Sequence, residues 1–193
     1  MWNTNARCSI VCSIPLELLH ETGVKMNQHH GWVADSATAT TLWHEVVPGL
    51  WQGGTADDDT TDCPVSPSEG PRLTTTHFDT VVTAYAWARP ADWLVSEIRF
   101  GFYDSRISDI PMDRLRTVVA ATHAAWKSGD RVLVRCQAGL NRSGLITALV
   151  LIREGYSPSD AINLIRQKRS PYALCNREFA TWLMTIDTNE WTV

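Results

Sequence analysis

The sequence predicts a single α/β domain: a twisted, mostly parallel central sheet flanked by helices. Three observations predict it. From residue 42 onward, short runs rich in β-branched and aromatic residues alternate with longer segments of helical period. The helical segments carry their own start and stop residues. One apolar strand ends at a short glycine-containing loop that opens directly into a helix, which places an anion site at a strand's carboxyl end. A chain of 193 residues is long enough for one such domain and a short extension.

Residues 1–40 show no sustained periodicity and are read as an N-terminal extension; Met26 offers an alternative start within it. Residues 41–193 form the domain. Residues 43–52 read as a first strand that stops at the turn signal Gly53-Gly54, and 55–76, with Asp57-Asp58-Asp59, Cys63-Pro64 and Pro67 to Pro71, as a long loop. Residues 80–86 give a second strand. Ile98, Phe100 and Phe102 alternate with Arg99, Gly101 and Tyr103, which marks a third. A helix follows over 111–127, with Leu115, Val118, Thr122, Ala125 and Trp126 on one stripe and Gly129 beyond its end. Residues 131–135 are a buried strand, and 143–154, apolar almost all round, a central helix. Ser157, Pro158 and Asp160 supply N-cap, first position and capping-box acid for a helix to about Arg169. A last helix covers 177–186.

Composition narrows the function. The most apolar run, Leu145 to Ile152, is too short to span a bilayer. The cysteines, Cys8, Cys12, Cys63, Cys136 and Cys175, are odd in number and scattered, with no zinc-site spacing, which fits a reducing, cytoplasmic setting. Residues 131–177 carry eight Lys/Arg against two Asp/Glu, whereas residues 1–130 carry nine against sixteen. A local basic block suits an anionic substrate, and the acidic remainder argues against a general nucleic-acid binder.

The basic block surrounds Cys136-Gln137-Ala138-Gly139-Leu140-Asn141-Arg142-Ser143-Gly144. Between strand and helix, the backbone N–H groups of such a loop converge on one anion at the positive end of the helix. A cysteine in that field ionises readily. Arg142 offers a planar fork for two phosphate oxygens, and Gly139 lets the loop curl. Cys136 as an inert buried thiol is the bland alternative, and its company with Arg142 and Ser143 argues against that.

These residues resemble the C-x5-R-S/T signature loop of the protein-tyrosine phosphatase superfamily, most like its dual-specificity branch. The resemblance extends over about residues 43–185. It takes in Leu50-Trp51-Gln52-Gly53-Gly54, Phe102-Tyr103-Asp104-Ser105 followed by Asp109-Ile110, Ala161-Ile162 through Arg169, and Asn176 with Phe179. It implies a phosphatase-like fold and a protein phosphatase acting on phosphotyrosine, and on phosphoserine/threonine as well, with a phosphorylated protein or peptide as partner and with no metal or cofactor. Cys136 is then the nucleophile and Arg142 the phosphate holder. Gln137, Ala138, Gly139, Leu140 and Asn141 supply the phosphate-binding loop with Arg142. Asp104 is the general acid, and Ser143 donates to the thiolate. Asp109, nearer the next helix, is the better helix cap, and Asp109 and Asp92 are the rival acids.

Two alternatives accompany this reading. Asn141 before Arg142 also occurs in phosphatase-like RNA 5′-triphosphatases, which keeps RNA 5′ ends, nucleotides or another small phosphorylated molecule as substrate. A catalytically silent phosphate-binding module is the third. The resemblance breaks at Arg135, where the family usually has histidine. Alternation along the strand turns Arg135 away from the phosphate pocket. Burial there demands a carboxylate or loop carbonyls as partners, so Arg135 is expected to brace the anion loop from beneath. Trp87 and Trp93, bracketing Arg89-Pro90-Ala91-Asp92, suggest a loop at the cleft's mouth. His29-His30 and Asp57-Asp58-Asp59 read as solvated segments.

Overall fold

A computed structural model of the chain describes residues 24–27, 31–34, 42–55 and 77–192. Cys8, Cys12, Cys63, His29-His30, Asp57-Asp58-Asp59 and the loop expected from 56 to 76 lie outside the described residues. Val24–Asn27 (β1) and Gly31–Ala34 (β2) pair antiparallel in a small sheet of their own. The sequence pattern did not announce them, because strands of four residues are too short to show a period.

The main sheet contains Trp43–Val47 (β3), Leu50–Gly53 (β4), Thr80–Thr83 (β5), Ser96–Arg99 (β6) and Val132–Arg135 (β7), in the spatial order β3-β4-β7-β5-β6. Only β3 runs antiparallel. Residues 43–52 are therefore two strands rather than the single one expected. Pro48-Gly49 reverses the chain, with Gly49 at φ +82°, its N–H bonded to the Glu45 carboxylate at 2.9 Å and Trp126 Nε1 donating to the Pro48 carbonyl at 2.9 Å. Proline has no N–H to give a ladder, so the apolar run cannot continue through it.

Met112–Lys127 (α1), Arg142–Arg153 (α2), Pro158–Lys168 (α3) and Arg177–Thr185 (α4) follow. Every residue of α2 from Ser143 to Ile152 is buried. It packs with Leu115, Val119, Ile165, Phe179 and Leu183 of the other helices on the sheet face that carries Leu50, Val82 and Val134. The opposite face carries Val81 and Leu133, covered by Phe78, Val95, Trp43 and Trp51. Ser157 caps α3 by accepting from the Asp160 N–H at 3.1 Å, as its sequence indicated. Asp109 does not cap α1. Pro111 holds the N-cap position, and Asp109 sits in a 3-10 turn, Ile107–Asp109, where Ser105 Oγ donates to it at 2.9 Å.

Gly53, Arg135, Thr83 and Arg99 stand in one row across the four parallel strands. Beyond that row every strand gives way to a loop. The carboxyl end of the sheet is the crevice where such folds bind ligands.

Candidate active site

Cys136 follows β7 directly, only 2% exposed, and α2 starts at Arg142. Between them the chain turns with its carbonyls outward, because each is tied from outside. The Gln137 carbonyl accepts from the Thr55 N–H at 3.0 Å. Arg169 donates to the carbonyls of Ala138 (3.3 Å) and Gly139 (3.2 Å), and Gln52 Nε2 adds a bond to Gly139 at 3.1 Å. The Leu140 carbonyl takes the Leu174 N–H at 3.2 Å. Carbonyls pinned outward leave the amide edges of the loop to line the concave side, which is how a run of backbone makes an anion nest. Burial, and after it the charge of Arg169, holds the His44 imidazole below its ordinary range. A neutral His44 can then accept from Arg169 Nη1 at 3.0 Å and fix that brace.

Gly139 is at φ +72°, and a Cβ there would stand 2.3 Å from the Gly53 carbonyl carbon. Gly54 faces the same loop, its Cβ position 2.8 Å from the Gln137 carbonyl oxygen. Gly54, just beyond β4, is thus small to admit the anion loop, whereas a Cβ at Gly53 would meet Trp43 and the Leu42 carbonyl at β3's start. Gly139→Ala is expected to lower stability by about 1–3 kcal/mol through the left-handed backbone alone, with the clash adding to it. Urea unfolding checks this, and an unchanged midpoint would contradict it.

Ser143 is buried with Oγ 3.3 Å from Cys136 Sγ. Arg142 Nη1 donates to the Phe102 carbonyl at 3.3 Å, and its guanidinium lies over the Tyr85 ring, 5.1 Å from the centroid. Its Nε is buried with no hydrogen-bond partner. An unpaired buried guanidinium N–H is costly, and an anion in the nest would supply the missing acceptor. Asp104 Oδ2 accepts from Asn141 Nδ2 at 2.9 Å and Oδ1 from Asn176 Nδ2 at 2.8 Å. Asn141 Oδ1 accepts the Asn176 N–H at 3.0 Å. The Asp104 loop is therefore docked on the loop before α2 and on the start of α4.

Arg135 is 1% exposed and meets a carboxylate, as expected: Nη2 lies 3.3 Å from Glu97 Oε1. What it braces differs from the expectation. Its nitrogens reach Thr83 Oγ1 (3.0 Å) and the Arg89 carbonyl (2.5 Å), so it holds the segment after β5 rather than the anion loop. Much of the basic block also has a structural use. Arg131 pairs with Asp79, and Arg166 and Arg169 donate to carbonyls. Of the two tryptophans expected at the cleft, Trp87 sits beside Tyr85 with centroids 5.9 Å apart. Trp93 stands at the other end of the sheet, because the segment must return to the amino end of β6, where the Ser96 N–H bonds to the Asp79 carbonyl at 3.0 Å. The Asp92 carbonyl accepts the Val95 N–H at 2.9 Å just before β6.

Sequence reasoning missed the roles of His44, Gln52, Thr55, Tyr85 and Arg169. Arg169 was visible only as part of the resemblance, and its partners are backbone carbonyls, which have no sequence signature.

The fold and site define an α/β protein built around a cysteine-and-arginine anion loop. Residues 93–189 match the dual specificity phosphatase catalytic domain, and the chain belongs to that family. A curated relative, "Putative tyrosine phosphatase 123R" of Invertebrate iridescent virus 6, is 38% identical over 68 residues. That match covers 35% of this chain and 47% of the relative, so it spans about half of the relative's length. Among solved structures, human DUSP28 aligns with a TM-score of 0.60 at 23% identity, covering 75% of this chain and 92% of that one. The human tyrosine phosphatase-like serine/threonine/tyrosine-interacting protein aligns at 0.57 and 18%, covering 73% and 92%. At these identities the structural likeness establishes the fold.

Proposed function

We propose that the chain is a cysteine-dependent protein phosphatase that hydrolyses phosphotyrosine. The observation that carries this is the nest of outward-pinned carbonyls closed by Arg142, whose Nε is buried without an acceptor, in the loop that follows a buried cysteine. In the first step Cys136 Sγ attacks phosphorus and the bond to the leaving oxygen breaks, with Asp104 delivering the proton to that oxygen. Arg142 and the amides of 137–142 hold the three equatorial oxygens. In the second step water attacks the cysteinyl phosphate. Asp104 takes the water's proton, and Ser143 Oγ donates to the departing sulfur. The charge work lies with the loop and Arg142.

Exposed aromatics support an aryl phosphate. Trp87 and Tyr103 are 48% and 67% exposed. They flank the point where Ala86 and Gly101 touch, with a Cβ at Gly101 only 3.0 Å from Ala86 Cβ. The RNA alternative loses its main support, because the Asn141 side chain is committed to Asp104 and Asn176. No helix among the described residues is long and apolar enough to cross a membrane. A reducing, cytoplasmic setting suits a thiol nucleophile. The test is a panel of phosphotyrosine and phosphothreonine peptides, 5′-triphosphate RNA and inositol phosphates. Phosphotyrosine peptide is expected to be turned over best. A large preference for RNA would reverse the proposal.

A further inference from the structure

Thr83, Glu97, Arg99 and Arg135 project from one face of the sheet at its carboxyl end, the face opposite the helices. Glu97 is their hub. Its Oε1 accepts from Thr83 Oγ1 (2.6 Å), Arg99 Nη1 (2.8 Å) and Arg135 Nη2 (3.3 Å), and its Oε2 from the Ala91 N–H (3.1 Å). One carboxylate thus lets two guanidiniums pack side by side, one of them fully buried. Both spend further bonds on a single stretch of backbone. Arg99 Nη2 donates to the carbonyls of Ala86 (3.2 Å) and Ala88 (2.8 Å), and Arg135 Nη2 to that of Arg89 (2.5 Å). This stretch begins next to Tyr85, the ring beneath Arg142, and includes Trp87, which packs edge-on against it.

We infer that Glu97 is a positioning residue for phosphate capture. Through Arg99 and Arg135 it fixes the backbone of 86–89, which holds the Tyr85 ring against Arg142 and orients the guanidinium fork before an anion arrives. An oriented fork loses less freedom on binding than a mobile one, so the network raises phosphate affinity from a distance. The inference rests on Arg142 as the phosphate holder.

A double-mutant cycle on the full chain tests it, read as inorganic phosphate affinity by calorimetry. Glu97→Gln and Tyr85→Ala are each expected to weaken phosphate binding about tenfold, the scale of one coupled contact. The double variant should bind no more weakly than Tyr85→Ala alone. Effects that multiply would overturn the inference, as would a Glu97→Gln protein of lower melting temperature whose phosphate affinity is unchanged. If Glu97→Gln alone does not fold because Arg135 loses its carboxylate, Glu97→Gln with Arg135→His removes that charge, and the same cycle is run on the pair. A parent protein that binds no phosphate removes the reading of Arg142 and this inference together, whereas a parent that binds it with multiplicative variants removes only the inference.

Discussion

Cys136→Ser is expected to lose hydrolysis of an aryl phosphate by about 10⁶-fold, the scale of deleting a covalent nucleophile. The same variant should still bind phosphate. The two outcomes follow from different parts of the site. The loop carbonyls are held by Thr55, Gln52, Arg169 and the Leu174 amide, and none of these bonds involves the sulfur. Arg142 is held by the Phe102 carbonyl and the Tyr85 ring. Serine is smaller than cysteine and is accommodated at a buried position beside Ser143 Oγ. Phosphate affinity should therefore hold. What is lost is the polarisable sulfur that forms the bond to phosphorus. Stopped turnover with calorimetric phosphate binding retained is the expected pair of results. A serine variant that hydrolyses like the parent would remove Cys136 from the mechanism. Loss of both would assign it a structural part instead.

The sulfur's surroundings also bear on Arg135. Its guanidinium reaches Thr83, Glu97 and Arg89 on the sheet face away from Cys136. Arg135→Ala would leave Glu97 and Arg99 to rearrange, so thermal stability should fall while the pH dependence of Cys136 alkylation by iodoacetamide stays close to that of the parent.

How much of this could be read from the residues depends on whether partners are near in sequence. The anion loop was legible because its parts are contiguous and its strand and helix signals adjoin it. The α3 cap was legible for the same reason, and so was the burial of α2, where the apolar residues leave no polar stripe. The β3–β4 hairpin was signalled by Pro48-Gly49 but masked by the apolar residues around it. Asp109 was assigned to a cap by proximity, whereas a 3-10 turn intervenes and Ser105 takes its carboxylate. Trp93 was placed at the cleft because it is near Trp87 along the chain. A parallel pairing of β5 with β6 forces the connection back across the sheet. Glu97 meets Arg135 only because the strand register sets them on one face, and Arg169 meets carbonyls that any residue type would provide.

Asp104→Asn is expected to slow cleavage of poor leaving groups by about 10²–10⁴-fold and good ones far less. The carboxyl oxygens of Asp104 accept from the side-chain amides of Asn141 and Asn176, which hold the carboxyl beside the starts of α2 and α4. Its competitors are placed elsewhere. Asp92 stands toward the amino end of β6. The bond from Ser105, with a smaller share from the backbone and from Ser108, holds the exposed Asp109 carboxyl below its ordinary range. Asparagine at 104 has a second consequence, because its amide nitrogen would face the amide of Asn141 or Asn176 where an oxygen now accepts. That mismatch loosens the acid-bearing loop and slows every substrate alike. The two effects separate in a plot of log kcat/KM against leaving-group pKa. Loss of proton donation steepens the slope, whereas loop misplacement shifts the line without tilting it. Asp109→Asn should leave the slope at its parent value. A parallel shift for Asp104→Asn with a steeper slope for Asp109→Asn would move the acid to Asp109 and leave Asp104 as the tie between the two loops.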